Sequence, residues 1–173
     1  MKHKLLILIM LAGLFAGCTE NQWMDWKVQN DLWLEQNIIN HEGDSSFFVL
    51  SDGLQYRIIA DPTPKEPRPN ATSTIVCDYT GKLINGYEFD RSGAKGSQFS
   101  MSNLVSGFSE ALRKIHKNGD IEIYVPYYLG YDESKISSGE TNKAEGNGTE
   151  GTQSYIPPYS VMIFTVHLKS VAN

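Results

Sequence analysis

A chain of 173 residues with 40% hydrophobic residues has room for one ordinary domain with a real core, plus appendages. Its net charge of −5 argues against a nucleic-acid partner, because phosphate binding needs a basic footprint.

Residues 1–17 read as a lipoprotein signal peptide. Lys2 and Lys4 precede Leu5–Ala16, an apolar run of 12 residues that is too short to span a bilayer comfortably. Ala16-Gly17-Cys18 then places small residues directly before a cysteine. Cleavage before Cys18 and lipid attachment there are expected, anchoring the protein in a bacterial cell envelope, facing the periplasm or in the outer membrane. A plain secretory signal with an incidental cysteine is the alternative. Cleavage would leave 13 basic against 20 acidic residues, a net charge of −7. Cys77 would then be the one free cysteine, expected to be a buried, inert thiol.

Residues 18–45 read as a tether and an amphipathic helix. Trp23, Trp26, Leu32, Trp33, Leu34, Ile38 and Ile39 recur at mixed spacings of three and four. Three outcomes stay open for this apolar load: packing on its own domain, a homodimer, or contact with a partner or membrane surface.

The remainder, 46–173, reads as one domain. Phe47–Leu50 is a short extended piece, and Leu54–Ile59 alternates as a strand after the Asp52-Gly53 turn. Four prolines between Pro62 and Pro69 force an extended connection without sheet pairing. Ser73–Thr80 alternates again, with Ile75, Cys77 and Tyr79 on one face. Gly81 is expected to end that strand, Asn85-Gly86 to turn the chain, and Tyr87–Asp90 to return it beside Tyr79. Gln98–Met101 is a further short strand. A helix begins near Ser106 with Phe108, Leu112 and Ile115 at i, i+4 and i+7, and Asn118-Gly119 is expected to stop it. Ile121–Pro126 alternates. Residues 132–154 hold four glycines and one large apolar residue, Ile136, and read as a flexible insertion. Tyr155–Pro158 re-enters the domain, and Ser160–Val171 is a long final strand. Strands around one short helix, without βαβ repeats, define an antiparallel α+β domain.

No nucleophile context accompanies these elements. His41, His116 and His167 lack paired ligand spacing, so no metal and no cofactor is expected. Taken singly, Tyr79, Phe99 and Phe164 read as core, and Asp90 as a turn residue.

In order along the chain, Val76-Cys77-Asp78-Tyr79-Thr80-Gly81, Gly86-Tyr87-Glu88-Phe89-Asp90 and Leu104-Val105-Ser106-Gly107-Phe108 resemble the signatures of FKBP-type peptidyl-prolyl isomerases. Asn118-Gly119, Val125-Pro126, Leu129-Gly130-Tyr131, Ile156-Pro157-Pro158 and Met162–Leu168 continue the resemblance, which covers residues 53–171. It implies a twisted antiparallel β-sheet wrapped around one short α-helix, here preceded by the N-terminal amphipathic helix. It also implies a proline pocket with Tyr79, Phe89, Asp90, Tyr131 and Phe164 as catalytic residues. Phe99, Leu104, Val105, Phe108 and Ile156 would bind substrate. Phe108 stands where many members carry tryptophan, and Arg91 or Lys95 is the candidate cation for Asp90. The implied activity is cis–trans isomerisation of Xaa-Pro bonds in unfolded or flexible polypeptides, assisting the folding of envelope proteins. Two other readings stand beside it: a non-catalytic chaperone or binding module using the same groove, and a structural lipoprotein that docks through its helix.

Overall fold

The computed structural model describes residues 23–134, 136–137 and 155–173. In chain order these form α1 (Met24–Asn40), β1 (Phe47–Val49), β2 (Gln55–Ala60), β3 (Thr74–Lys82), β4 (Glu88–Arg91) and β5 (Ser97–Ser100). Then follow α2 (Ser106–Leu112), β6 (Asp120–Val125), β7 (Ile136–Ser137), β8 (Tyr155–Ile156) and β9 (Met162–Ala172). Residues 1–17, expected to be a signal peptide, and Cys18 lie outside the described residues, as does most of the 132–154 segment.

The main sheet runs β1-β2-β6-β9-β3-β4, and every pairing in it is antiparallel. β4 and β5 divide the outer edge of β3: β5 pairs with Thr74–Cys77 and β4 with Thr80–Lys82. Burial alternates along β3, with Ile75, Cys77 and Tyr79 facing inward as their period-two spacing requires. β6 turns Ile121, Ile123 and Val125 to the same core, and β9 adds Met162, Phe164, Val166 and Leu168. α2 packs over β6 through Phe108, Ala111 and Leu112. Each of these large side chains stabilises the fold by about 1.5–3 kcal/mol on burial, which makes one helix enough to close the layer. The architecture is the α+β fold expected.

Four local expectations differ from the structure. Gly81 does not end β3, which continues to Lys82 with a register shift against β4. The turn centres on Ile84-Asn85, closed by Gly86 N donating to Leu83 O, and Gly86 alone adopts positive φ. α2 stops at Leu112, well before Asn118-Gly119; Ile115 stays buried through successive turns, and Asn118 takes the left-handed conformation (φ 66°). The base of the insertion is tied into a small ladder, because Ile136 pairs with Ile156.

A further difference concerns α1. It packs on its own domain, yet the residues it buries most are Asn30 and Asn37, two turns apart on one face. Asn37 Nδ2 donates to Gln55 Oε1 at 2.8 Å, and Gln55 Nε2 donates back to Leu34 O at 3.1 Å. Asn30 Oδ1 accepts from Val161 N at 2.7 Å. Buried amides on the domain need partners, and an all-apolar face would leave them unsatisfied. Trp26 and Trp33 add ring surface, Trp33 lying 5.8 Å from Tyr124. Met24, Val28, Leu32, Ile38 and Ile39 point outward instead. Among the described residues no helix is long and apolar enough to cross a membrane.

Candidate active site

β3 carries Tyr79 inward, and its hydroxyl donates to Asp90 Oδ2 on β4 at 2.6 Å. Asp90 Oδ1 accepts from the backbone N–H of Arg91 at 2.8 Å. Burial, then the adjacent carboxylate, push the Tyr79 pKa well above the ordinary phenol value, so the phenol stays a donor. The Arg91 guanidinium pairs with Glu88, and among the described residues Asp90 makes no ion pair. Neither Arg91 nor Lys95 is therefore the partner of the aspartate; the Tyr79 phenol is.

From Tyr79 the aromatic rings run in series. Its ring meets Phe99 edge-on at 5.6 Å and Phe108 at 6.4 Å. Phe108 lies 4.6 Å from Phe164, and Phe164 meets Phe89 at a right angle, 5.6 Å away. Edge-to-face contacts of this kind fix ring orientation as well as bury area. Phe89, Phe108 and Phe164 come from β4, α2 and β9, so the sheet and its helix together build the cradle.

Gly81, between these strands, makes the close approach possible. A Cβ there would sit 2.7 Å from Cε2 and Cζ of Phe89 and 3.0 Å from Cε1 of Phe164. Sequence reasoning missed this role, taking the glycine as a strand end. A lone glycine inside an alternating aromatic strand is the signal that was available.

Leu104 and Val105, at the entry to α2, are half-buried against the same cluster, and Ile156 on β8 is 4% exposed within it. Tyr131 follows a short turn after β6 and remains 38% exposed. Partial desolvation, then the charge of nearby Asp90, push its hydroxyl pKa up. Among the described residues that hydroxyl has no hydrogen-bond partner, which leaves it available to an occupant. Cys77 lies beneath the cluster, fully buried, with burial pushing its thiol up to about 12. The arrangement is an apolar slot with aromatic walls, one phenol–carboxylate pair and one unengaged phenol at its rim.

This fold accords with what the comparisons find. The family model described as FKBP-type peptidyl-prolyl cis-trans isomerase matches residues 65–169, and the chain belongs to that family. Outer membrane protein MIP of Legionella longbeachae is 30% identical over 147 residues, covering 84% of this chain and 54% of that protein. The FKBP-type peptidyl-prolyl cis-trans isomerase FkpA of Escherichia coli K12 is 32% identical over 123 residues, covering 70% of this chain and 38% of that protein. The chain thus spans about half, or less, of the length of these relatives. Among solved structures, FkpA from Escherichia coli superposes with a TM-score of 0.68 at 25% identity, covering 88% of this chain and 63% of that one. A peptidyl-prolyl cis-trans isomerase from Pseudomonas syringae gives 0.61 at 18% identity, covering 82% and 92%, a likeness of fold.

Proposed function

We propose that the protein catalyses cis–trans isomerisation of Xaa-Pro bonds in proline-containing, unfolded or flexible polypeptides, without cofactor or covalent intermediate. The observation that carries this reading is the Phe89–Phe164–Phe108 cradle beside the Tyr79–Asp90 pair. The rings have the size and apolar character to hold a pyrrolidine and exclude water.

Rotation about the amide faces a barrier of about 20 kcal/mol because resonance is lost on twisting. The planar amide is more charge-separated than the twisted one, so an apolar slot favours the twisted state relative to water. Leu104, Val105, Ile156 and Phe99 extend the apolar wall. The Tyr131 hydroxyl is placed to donate to a substrate carbonyl, and Asp90 holds Tyr79 oriented. No proton need move. An exchange assay on proline peptides tests this: line broadening at catalytic protein concentration supports it, and unchanged spectra with a folded protein reject it.

A non-catalytic binding role is the second reading. It is favoured by the exposed rings of Tyr87, Tyr128, Tyr131 and Tyr155. Binding of an unfolded client without rate enhancement selects it.

We further place the protein in the bacterial cell envelope, anchored through lipid on Cys18, where it would assist folding of envelope proteins. The similarity to an outer membrane protein supports that location. Incorporation of labelled fatty acid that disappears in Cys18→Ala is the expected result, and unchanged incorporation contradicts it. Any homodimer or partner contact through α1 would use its outward face, since the other is occupied by its own domain.

A further inference from the structure

The rim of the pocket is made by two segments that cannot fix themselves. Pro157 and Pro158 have no N–H, so the stretch after Ile156 has few backbone donors with which to join the sheet. Tyr159 (φ 60°) and Asp132 (φ 54°) both occupy the left-handed region without being glycine. Such conformations persist only where surrounding contacts over-determine them. The two are joined to each other, Tyr159 N donating to Asp132 O at 3.0 Å, and Asp132 N donates to Tyr127 O at 2.8 Å. Residue 132 directly follows Tyr131, and residue 157 directly follows Ile156. The rim's backbone is therefore a strained unit carrying two of the proposed pocket residues.

One turn of α1 grips that unit from outside. Trp26 Nε1 donates to Ser160 Oγ at 2.9 Å, and Ser160 Oγ donates to Pro157 O at 2.8 Å. Asn30, one turn later and fully buried, accepts from Val161 N. Its amide orientation is set by Nδ2 donating to Trp26 O at 2.7 Å. Trp23 lies 6.4 Å from Tyr155, and the Lys27 ammonium sits 5.2 Å over Tyr127, whose ring packs edge-on against Tyr159 at 5.4 Å. Trp23 at the start of α1, with Trp26, Lys27 and Asn30 within it, thus reaches the rim at Tyr155, Ser160, Tyr127 and Val161.

We propose that α1 is part of the working site, with Trp26 and Asn30 as positioning residues that hold the 155–161 segment and, through it, Ile156 and Tyr131. The inference rests on the isomerase reading of the pocket. It makes the helix a determinant of substrate fit and not only an appendage. The far end of the same helix, held by Asn37 and Gln55, has no such link to the rim among the described residues and serves as the internal control.

The test compares Trp26→Phe, Ser160→Ala and Asn37→Ala with wild type in the full chain. Trp26→Phe keeps an aromatic ring but loses the N–H donor and part of the indole surface; Ser160→Ala removes the bridge without altering any ring. The readouts are Tm, KM and kcat from an exchange assay, and the methyl resonance of Ile156. The loss of one partly buried hydrogen bond in Trp26→Phe, and of two in Ser160→Ala, predicts a fall in kcat/KM of about threefold to tenfold in these variants, carried by KM. The Ile156 methyl is expected to shift in Ser160→Ala. Asn37→Ala is expected to lower Tm with kcat/KM and the Ile156 methyl unchanged. Equal losses of kcat/KM in all three variants, or wild-type values in Trp26→Phe and Ser160→Ala, overturn the proposal. An inactive wild type sinks the isomerase reading instead; the Ile156 methyl then decides positioning, and an unshifted signal in Ser160→Ala rejects it.

Discussion

The Tyr79 hydroxyl and Asp90 Oδ2 lie 2.6 Å apart across the β3–β4 pair, with the phenol buried and the carboxylate exposed. The bond aims Asp90 along the rim and leaves the Tyr79 ring edge-on to Phe99 and Phe108. Tyr79→Phe keeps the ring contacts and frees the carboxylate to water. A stability loss of about 1 kcal/mol is expected, small because the exposed partner is readily rehydrated. The accompanying fall in kcat/KM should exceed what that stability change explains; denaturant titration beside an activity assay checks both.

Gly81→Ala is expected to be costly at a position where the backbone conformation itself is ordinary strand. The added methyl has no room between Phe89 and Phe164, so those rings must separate. Overpacking of this kind costs about 1–3 kcal/mol. Tm should fall accordingly, and proline-peptide affinity should fall further because the cradle opens. A Tm equal to wild type would show that the rings have slack.

Cys77 gives the fold a pH-dependent component. Its thiol ionises near 9 when exposed and at about 12 in the folded chain, because burial disfavours the thiolate. Between those values the unfolded chain has released a proton that the folded chain retains. The contribution is therefore complete below pH about 9 and is lost as pH rises toward about 12, at roughly 1.4 kcal/mol per pH unit. Cys77→Ala should flatten that slope when stability is measured from pH 8 to 11. An identical slope would contradict the assignment to this thiol.

The strands of the domain were legible in the sequence because one inward and one outward face alternate along them. Ile75, Cys77 and Tyr79 on β3, and Ile121, Ile123 and Val125 on β6, needed no tertiary information. The aromatic rings that meet one another in the slot were named by resemblance, in a fixed order along the chain. What stayed hidden depends on partners distant in sequence. Nothing near Asn30 and Asn37 in sequence marks them as buried, since Val161 and Gln55, which they meet, belong to distant segments. Gly81 read as an ending because the Phe89 and Phe164 rings that need its empty side are contributed by two other strands. α2 stops at Leu112 rather than at Asn118-Gly119, since Ile115 reaches the core through turns as well as it would through a helix.

The most direct test of the account is two-dimensional exchange NMR on a proline peptide with wild type and Tyr131→Phe. The substitution removes only an exposed-rim hydroxyl, so the fold should be kept. Enhanced cis–trans exchange is expected with wild type and a reduced rate with Tyr131→Phe, the peptide resonances still shifting on binding. A folded wild-type protein that binds the peptide without enhancing exchange would contradict it and make the aromatic slot a binding groove alone.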